Sequence, residues 1–295
     1  MDSAASGGRG TRVAHYETAT SDYSRVRRRL GWCDNPRMQT ALVTGASRGV
    51  CRGIAAALHD RGYKVFATGR TIVSANLPDG VIRIACDHLH DEDTSAAFAR
   101  IAQEAAALDL LVNCAWGGYE AMVENGTYTW PLPFWEQPAH RWTSMMDAGV
   151  RAAFVAGAHA ARMMTARGSG LIVNISYWAA QKYLGNVIYG VAKAAMDKLT
   201  ADMAHELSPY GVTVVSLYPG LVRTEAVMAA ATAGWLDISN SESPEFIGRV
   251  IAALCGDPLL GKRSGRAIVA AALAEEYGVE DIDGRRPVPL TLESA

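Results

Sequence analysis

A tyrosine and a lysine four residues apart, Tyr189 and Lys193, are the residues of this chain best suited to acid–base chemistry. On a helix this spacing puts both side chains on one face. A tyrosine hydroxyl has a pKa of about 10, and a neighbouring ammonium group stabilises the phenolate and lowers that pKa. The pair could therefore give a proton to a carbonyl oxygen or take one back from an alcohol.

Two further hydroxyl groups, on Ser176 and Tyr177, follow the apolar run LIVNI a short way before this pair. Adjacent residues of a strand point to opposite faces of the sheet. Only one of the two can therefore face a substrate bound beside Tyr189, unless a local bulge intervenes. The residues alone leave open which hydroxyl group orients the substrate.

A glycine-rich turn, TGASRGVCRGIA from Thr44 to Ala55, joins the first apolar run to a stretch of helical pattern. Gly45 and Gly49 allow a tight turn and a close approach of the backbone to a phosphate group. The helix that follows offers free N–H groups and the positive end of its dipole. We therefore predict a dinucleotide site at this turn.

The end of the second apolar run, KVFATGR, indicates which dinucleotide is bound. An acidic residue there would bind the ribose 2′-hydroxyl group and repel a 2′-phosphate. Gly69 stands in that place and Arg70 follows it, while Arg48 lies in the glycine-rich turn. Two guanidinium groups favour a phosphate, and we expect NADP(H) as the cofactor.

The elements that must position these residues follow from seven short apolar runs that alternate with alanine-rich stretches. Runs that are apolar on both faces are typical of a buried parallel sheet. Their alternation with helices predicts right-handed crossovers and an α/β, Rossmann-type, doubly wound seven-stranded parallel sheet in one catalytic domain, residues 38–295. Residues 1–37 show no period and are expected to be a disordered N-terminal extension. The runs are TALVT, KVFAT, VIRIA, DLLVN, LIVNI, TVVSL and RAIVA, with helices expected near 50–62, 91–107, 138–167, 189–208 and 244–256.

Composition and charge narrow the classes of partner. The formal net charge of −2 gives no electrostatic reason to expect nucleic acid or an anionic membrane surface. No apolar stretch is long enough to cross a membrane. The five cysteines show no zinc or redox-pair spacing, so we expect no metal site, and reduced thiols in a cytoplasmic protein.

Four motifs, in this order along the chain, resemble those of the short-chain dehydrogenase/reductase family. They are the TGxxxGxG-like turn, an NNAG-like turn in LVNCAWGG, the Tyr-x-x-x-Lys spacing and a PG-x-x-x-T segment in YPGLVRTE. The resemblance covers nearly all of residues 38–285. It implies a nicotinamide-dependent oxidoreductase in which Tyr189 is the general acid or base. Lys193 would tune Tyr189 and anchor the nicotinamide ribose.

The resemblance also implies which residues contact the cofactor. Asp87 would contact the adenine amino group, and Thr224 would reach the nicotinamide carboxamide. The full set of cofactor residues that it implies is Gly45, Ser47, Arg48, Gly49, Val50, Arg70, Asp87, Asn113, Ala115, Tyr189, Lys193, Pro219, Gly220, Val222 and Thr224.

Three positions depart from the family pattern. Cys51 stands where the last glycine of the turn is usual, and Cys114 replaces the second Asn of the NNAG turn. Gly149 lies seven residues beyond Trp142, where many relatives carry an Asn that holds a proton-relay water. Glycine has no side chain for that role.

The serine that orients the substrate in the family has two candidate positions here. Ser176 has the family's spacing to Tyr189 and is expected to be this residue, whereas counting forward from Gly170 along the strand gives Tyr177. A Ser-Tyr pair also resembles the enoyl-acyl-carrier reductases, which reduce C=C bonds. The catalytic tyrosine of that branch would fall at Asn186, so the match is partial.

Aromatic residues are frequent in the segments expected to border a substrate. As a group they indicate a bulky apolar or flat small molecule, with the loops near 117–138 and 225–244 as lids. FWEQPAHRW and the closing SGRAIVAAALAEEYGVEDIDGR resemble a branch of broad-substrate NADPH-dependent carbonyl reductases within the family. The aromatic residues are Trp116, Trp130, Trp135, Trp178, Tyr183 and Trp235.

Three functions remain open. The leading hypothesis is an NADPH-dependent carbonyl reductase, and the second is an enone or imine reductase that uses Tyr177. The third is a non-catalytic NADP(H)-binding sensor, motivated by Cys51, Cys114 and Gly149. Family members often pair through their two long helices, so the resemblance implies a homodimer or homotetramer.

Overall fold

All seven apolar runs form strands of one parallel sheet in the computed structural model, which describes residues 39–119, 122–124 and 127–295. The spatial order is β3-β2-β1-β4-β5-β6-β7. The predicted doubly wound, Rossmann-type sheet is therefore confirmed, while the predicted N-terminal extension lies outside the described residues. The strands are Thr40–Val43 (β1), Lys64–Gly69 (β2), Ile82–Ala85 (β3), Leu110–Asn113 (β4), Gly170–Ile175 (β5), Val212–Tyr218 (β6) and Ala267–Val269 (β7).

The helices fall close to the predicted stretches. The segment before α3 is irregular, because Thr143–Arg151 winds as a π-helix after a short α-turn, His140–Trp142. Such wide turns are rare and are often found at functional sites. The helices are Gly49–Asp60 (α1), Asp91–Glu104 (α2), Ala152–Thr165 (α3), Val187–Leu207 (α4), Glu225–Thr232 (α5), Pro244–Cys255 (α6) and Ala270–Tyr277 (α7).

Alternation along each strand divides the core into two layers. Ala41 and Val43 of β1 pack against the side of the sheet that α1, α6 and α7 cover. Leu42 between them packs with residues of α2, α3 and α4 on the other side. Burial on both faces explains why the strands are continuously apolar.

The order of the strands reverses at β1, which lies between β2 and β4. The connections from β1 and β4 leave toward opposite faces, so a crevice forms where the two strands end. The glycine-rich turn and the NNAG-like turn both lie at this edge. None of the helices in the described ranges is long and apolar enough to cross a membrane.

Candidate active site

The glycine-rich turn packs tightly against the end of β4. Gly45 has a φ of 70°, and a Cβ there would lie 2.7 Å from the Cα of Ala115. The hydroxyl oxygen of Thr44 accepts hydrogen bonds from the backbone N–H groups of Cys114 (3.0 Å) and Ala115 (3.1 Å). These contacts fix the two turns to each other at the edge of the crevice.

A disulfide bond between Cys51 and Cys114 joins the same two turns, and the prediction of reduced thiols is wrong for this pair. Their Cα atoms lie 5.8 Å apart, a separation typical of disulfides. The two residues are 63 positions apart in the chain, so no spacing motif reveals them. Parallel pairing of β1 with β4 brings them together. Both are positions where the chain departs from the family pattern.

Close packing of α1 on α6 depends on two glycines that the sequence analysis did not single out. A Cβ at Gly53 would collide with Pro244, and a Cβ at Gly248 would lie 2.9 Å from the backbone of Ile54. In the family pattern, the last glycine of the turn allows close packing of the helix. Cys51 stands at that position here, and Gly53 allows the close packing instead.

The end of β2 carries the residues expected to choose between NAD and NADP. A Cβ at Gly69 would collide with the hydroxyl oxygen of Ser47, so an acidic residue cannot occupy this position without displacing Ser47. That hydroxyl group is buried and has no hydrogen-bond partner among the described residues. Arg48 and Arg70 are both exposed at this end of the crevice. The arrangement suits a polar, anionic group beside Gly69.

Asp87 follows β3 and Asn113 is the last residue of β4, and the two side chains have different surroundings. Asp87 is half-buried after β3, and its carboxylate accepts a hydrogen bond from the backbone N–H of Leu89. Asn113 is buried and donates to the side-chain oxygen of Asn174 (2.8 Å) and to the carbonyl of Ala153. The side chain of Asn113 therefore ties β4 to β5 and α3.

The PG segment after β6 crosses the crevice toward the glycine-rich turn. Pro219 and Val222 are buried, and the backbone N–H of Gly220 donates to Glu242 at 2.8 Å. Burial raises the pKa of the Glu242 carboxyl group to about 7. Thr224 caps α5, and its methyl group would touch a Cβ placed at Gly49, at 3.5 Å.

A carboxylate occupies the N-terminus of α1. The Glu225 side chain accepts a hydrogen bond from the backbone N–H of Gly49 (3.1 Å) and forms an ion pair with Arg52 (2.9 Å). Val50, the next residue, is partly buried against the core. The first turn of α1 thus binds an anionic group, and the sequence analysis did not identify Glu225 as the residue that supplies it.

Tyr189 and Lys193 lie on the buried face of α4, exposed by only 6% and 5%. The Lys193 ammonium group lies 5.8 Å from the centre of the Tyr189 ring and donates to the carbonyl of Ile175 (3.3 Å). Burial lowers the pKa of Lys193 to about 8 and raises the pKa of Tyr189 well above its usual value. Loss of hydration therefore outweighs the lowering of the tyrosine pKa that the spacing predicts.

Ser176 and Tyr177, the two residues that follow β5, have different neighbours. Ser176 is buried, and its hydroxyl group donates to the backbone carbonyl of Lys193 (3.3 Å). Tyr177 packs in the same apolar cluster as Tyr189. Burial, and secondarily the charge of Glu242, raise the pKa of Tyr177.

Three aromatic rings surround Tyr189. The ring centres of Trp116, Tyr119 and Trp130 lie 6.0, 6.0 and 5.3 Å from that of Tyr189. The hydroxyl oxygen of Tyr119 is 3.0 Å from that of Tyr189. Tyr119 is a residue of the site that the sequence analysis missed, although it lies in the loop predicted to be a lid.

The other four predicted aromatic residues do not border Tyr189 in this arrangement. Trp178 packs edge-on against Tyr218 at 5.3 Å. Trp135, Tyr183 and Trp235 have between 69% and 82% of their surface exposed. The aromatic rings closest to Tyr189 therefore come from the segment between β4 and α3, and Tyr177 adds a ring from the segment after β5.

The residues of the crevice fit a dinucleotide that carries anionic groups. Ser47 offers a buried hydroxyl group without a partner among the described residues, beside two exposed arginines. The first turn of α1 already binds a carboxylate at the place expected for a pyrophosphate. Both features lie in or beside the glycine-rich turn, where a dinucleotide is expected to bind.

Comparison with known proteins gives a consistent result. Residues 39–234 match the family described as short chain dehydrogenase. Dehydrogenase/reductase SDR family member 1 from Mus musculus is 37% identical over 267 residues, covering 84% of each chain; the Homo sapiens protein is 36% identical. FWEQPAHRW and the closing segment resemble the branch to which this relative belongs, and the resemblance in sequence is confirmed.

A solved structure with a similar fold is 3-ketoacyl-(acyl-carrier-protein) reductase from Brucella melitensis complexed with NADH. It is 21% identical, has a TM-score of 0.66, and the match covers 78% of this chain and 96% of that one. The shared fold agrees with the strand order described above. The chain belongs to the short-chain dehydrogenase/reductase family of oxidoreductases.

Proposed function

We propose that this protein is an NADPH-dependent carbonyl reductase that acts on ketones or aldehydes with a bulky apolar group. The observation that carries the proposal is the Tyr189 hydroxyl group, which lies among aromatic rings and is hydrogen-bonded to Tyr119 at 3.0 Å. A carbonyl oxygen in the position of the Tyr119 hydroxyl group would accept the proton of Tyr189. Lys193 lies on the same helix face, next to the Tyr189 ring.

The protonation states of the pair are compatible with proton donation to a carbonyl oxygen. Burial keeps Tyr189 a neutral phenol, because its pKa lies well above the usual value. A neutral phenol is the form that donates a proton to a carbonyl oxygen as negative charge develops there. Lys193, with a pKa of about 8, is protonated at neutral pH and stabilises the phenolate that remains.

When bound, a nicotinamide dinucleotide supplies the hydride that reduces the carbonyl carbon. Gly45, Gly49 and the first turn of α1 would hold its pyrophosphate, and Thr224 would reach its carboxamide. Ser47, Arg48 and Arg70 support the choice of NADP(H), since two guanidinium groups and a hydroxyl group favour a 2′-phosphate. The remaining cofactor residues named from the family resemblance belong to this proposal.

The surroundings of Tyr189 support an apolar substrate. Trp116, Trp130 and Tyr177 offer ring surface around the acid, and Met145 is part of the same cluster. Such walls favour flat or bulky carbon skeletons over small polar carbonyl compounds. Water is also excluded by these rings, which strengthens the interaction of the carbonyl oxygen with Tyr189.

The experiment that tests this function measures oxidation of NADPH and NADH by the purified protein against matched ketones, enones and imines. We expect ketone-dependent oxidation of NADPH. Arg48→Ala and Arg70→Ala should each raise the KM for NADPH about tenfold, while the KM for NADH changes less than about twofold. Equal effects on both cofactors would contradict the assignment of NADPH.

A second candidate function is enone or imine reduction with Tyr177 as the acid. Tyr177 lies in the cluster of Tyr189, whereas the Ser176 hydroxyl group is bound to a backbone carbonyl. Turnover of enones that Tyr177→Phe abolishes, with ketones left unreduced, would favour this function. Tight NADPH binding without turnover of any compound would favour the non-catalytic sensor.

Assembly and location are also part of the proposal. We expect a homodimer or homotetramer through α3 and α4, where Phe154 and Val191 leave apolar surface exposed. A cytoplasmic location remains our prediction, although the Cys51–Cys114 disulfide removes the argument from reduced cysteines. Sedimentation of the purified protein would give the number of subunits.

A further inference from the structure

The ammonium group of Lys193 lies over the face of the Trp116 indole ring, 4.1 Å from the ring centre. It also donates a hydrogen bond to the carbonyl of Ile175 at 3.3 Å. The side chain of Lys193 is 5% exposed, so water does little to stabilise its charge. An aromatic face within about 6 Å attracts a cation, most strongly where both have lost their water.

The indole ring has room in this position because residue 149 is glycine, as is residue 118 at another edge of the ring. A Cβ at Gly149 would lie 2.6 and 2.7 Å from two carbon atoms of the Trp116 ring. Gly149 is buried and belongs to the π-helical segment Thr143–Arg151. Any side chain at this position would displace the indole ring from Lys193.

The indole nitrogen does not explain the placement of Trp116. Its N–H is buried and has no hydrogen-bond partner among the described residues. The ring also packs edge-on against Tyr189, with centres 6.0 Å apart. The face and edge of Trp116 therefore make its contacts with Lys193 and Tyr189, and the ring also packs against Tyr119, with centres 6.1 Å apart.

We propose that Trp116 is the positioning residue of Lys193: its indole face holds the ammonium group beside Tyr189, and Gly149 provides the space for the ring. The inference rests on the proposed function only for its effect on catalysis. The geometric part, an indole face that contacts the Lys193 cation, can be tested without substrate or cofactor. Asp197, one turn further along α4, is the charged group that acts on Lys193 across this region.

The first test follows the fluorescence of Trp116 as a function of pH in the protein without substrate or cofactor. The difference between the wild-type protein and Trp116→Phe isolates the signal of Trp116 from those of the other tryptophans. We expect a change in emission with a midpoint near pH 8, where Lys193 loses its proton. The step should be absent from Lys193→Met, and a step of the same size in that variant would overturn the proposal.

The second test is a double-mutant cycle between Trp116 and Gly149, measured by thermal unfolding. Gly149→Ala should lower the melting temperature in the wild-type protein, because the new methyl group collides with the indole ring. In the Trp116→Leu background the same change should have little effect, since the colliding ring is gone. If the two substitutions change the melting temperature additively, Gly149 does not act by giving space to the Trp116 ring, and the proposal is overturned.

The third test measures ketone reduction in a series at position 116. Trp116→Leu should lower kcat about threefold to thirtyfold, the range between an exposed and a desolvated cation–π contact. Trp116→Phe keeps an aromatic face and should lose about threefold or less, while the KM for the ketone changes little in both. Equal losses in the Phe and Leu variants would contradict a role of the ring face.

The three tests separate this inference from the proposed function. Absence of ketone turnover in the wild-type protein would reject the proposed function and leave the fluorescence and unfolding results to decide the contact. The contact would be rejected, even if the protein reduces ketones, by two results together. The pH-dependent change in Trp116 emission would persist in Lys193→Met, and the effects of the Trp116 and Gly149 substitutions on the melting temperature would be additive.

Discussion

The hydroxyl oxygens of Tyr119 and Tyr189 lie 3.0 Å apart, within hydrogen-bonding distance. Tyr119 is in the loop after β4 and has 55% of its surface exposed, whereas Tyr189 is fixed on α4 and buried. In the proposed reaction, a substrate carbonyl replaces the Tyr119 hydroxyl group as the partner of Tyr189. This competition gives Tyr119 an effect on substrate binding.

Tyr119→Phe should lower the KM for a ketone substrate about twofold to tenfold. The variant removes the competing hydroxyl group, and a net hydrogen bond of this kind contributes about 0.5–1.5 kcal/mol. Steady-state rates at saturating NADPH measure the effect. A higher KM would indicate that the Tyr119 hydroxyl group binds the substrate instead of competing with it.

Ser176→Ala and Tyr177→Phe should differ in their effects on turnover. The Ser176 hydroxyl group is bound to the Lys193 carbonyl, so its loss should cost about 1 kcal/mol of unfolding free energy and little activity. Tyr177 packs beside Tyr189, so Tyr177→Phe should lower kcat/KM more. Rates of ketone reduction and free energies of unfolding from chemical denaturation, measured for both variants, show which hydroxyl group orients the substrate. A far larger loss of kcat in Ser176→Ala would assign that role to the serine.

Reduction of the Cys51–Cys114 disulfide should destabilise the protein. The bond closes a loop between residues 63 positions apart, and the chain-entropy relation for such a loop gives about 4 kcal/mol as an upper value. Differential scanning calorimetry with and without a thiol reductant measures the effect as a lower melting temperature. The double variant Cys51→Ser, Cys114→Ser is the control, because its melting temperature should not respond to the reductant. A wild-type protein that is equally stable in both conditions would contradict the bond.

Glu225→Gln should strengthen cofactor binding. The Glu225 carboxylate is bound to the Gly49 N–H and to Arg52, at the place proposed for the pyrophosphate. Removing its charge removes a competitor at the helix N-terminus, an effect of about 0.3–1 kcal/mol, or about twofold to fivefold in Kd. Fluorescence titration with NADPH measures it, with Glu92→Gln in the first turn of α2 as the matched control. Weaker binding by Glu225→Gln would show that the carboxylate supports the cofactor site.

The sheet and most helices could be predicted because their signals are local. Each strand is an apolar run such as TALVT or LIVNI, and parallel strands buried on both faces need no polar alternation. The π-helical turn before α3 could not be predicted, because its hydrogen-bond pattern depends on packing rather than on periodicity. The same is true of the short parallel pairing between Leu221–Val222 and Ser241–Glu242.

The placement of candidate residues was predictable where a motif has a fixed spacing, since Tyr189 and Lys193 share the buried face of α4. It was not predictable where two distant residues act on each other. Cys51 and Cys114 each look like a loss of a family residue, yet the fold brings them together in one bond. Gly149 also looks like a loss, yet it gives space to the ring of Trp116. Pairs of this kind become visible only in three dimensions.

The central claim is that Tyr189 donates the proton in carbonyl reduction, and Tyr189→Phe tests it most directly. The measurement is NADPH oxidation with a bulky apolar ketone, together with NADPH binding by fluorescence. Tyr277→Phe, which removes another tyrosine hydroxyl group with a hydrogen bond (2.7 Å to Asp257), is the control. We predict that kcat falls by about two orders of magnitude or more in Tyr189→Phe, with the Kd for NADPH within about twofold of the wild-type value. Unchanged ketone turnover in Tyr189→Phe would contradict the account.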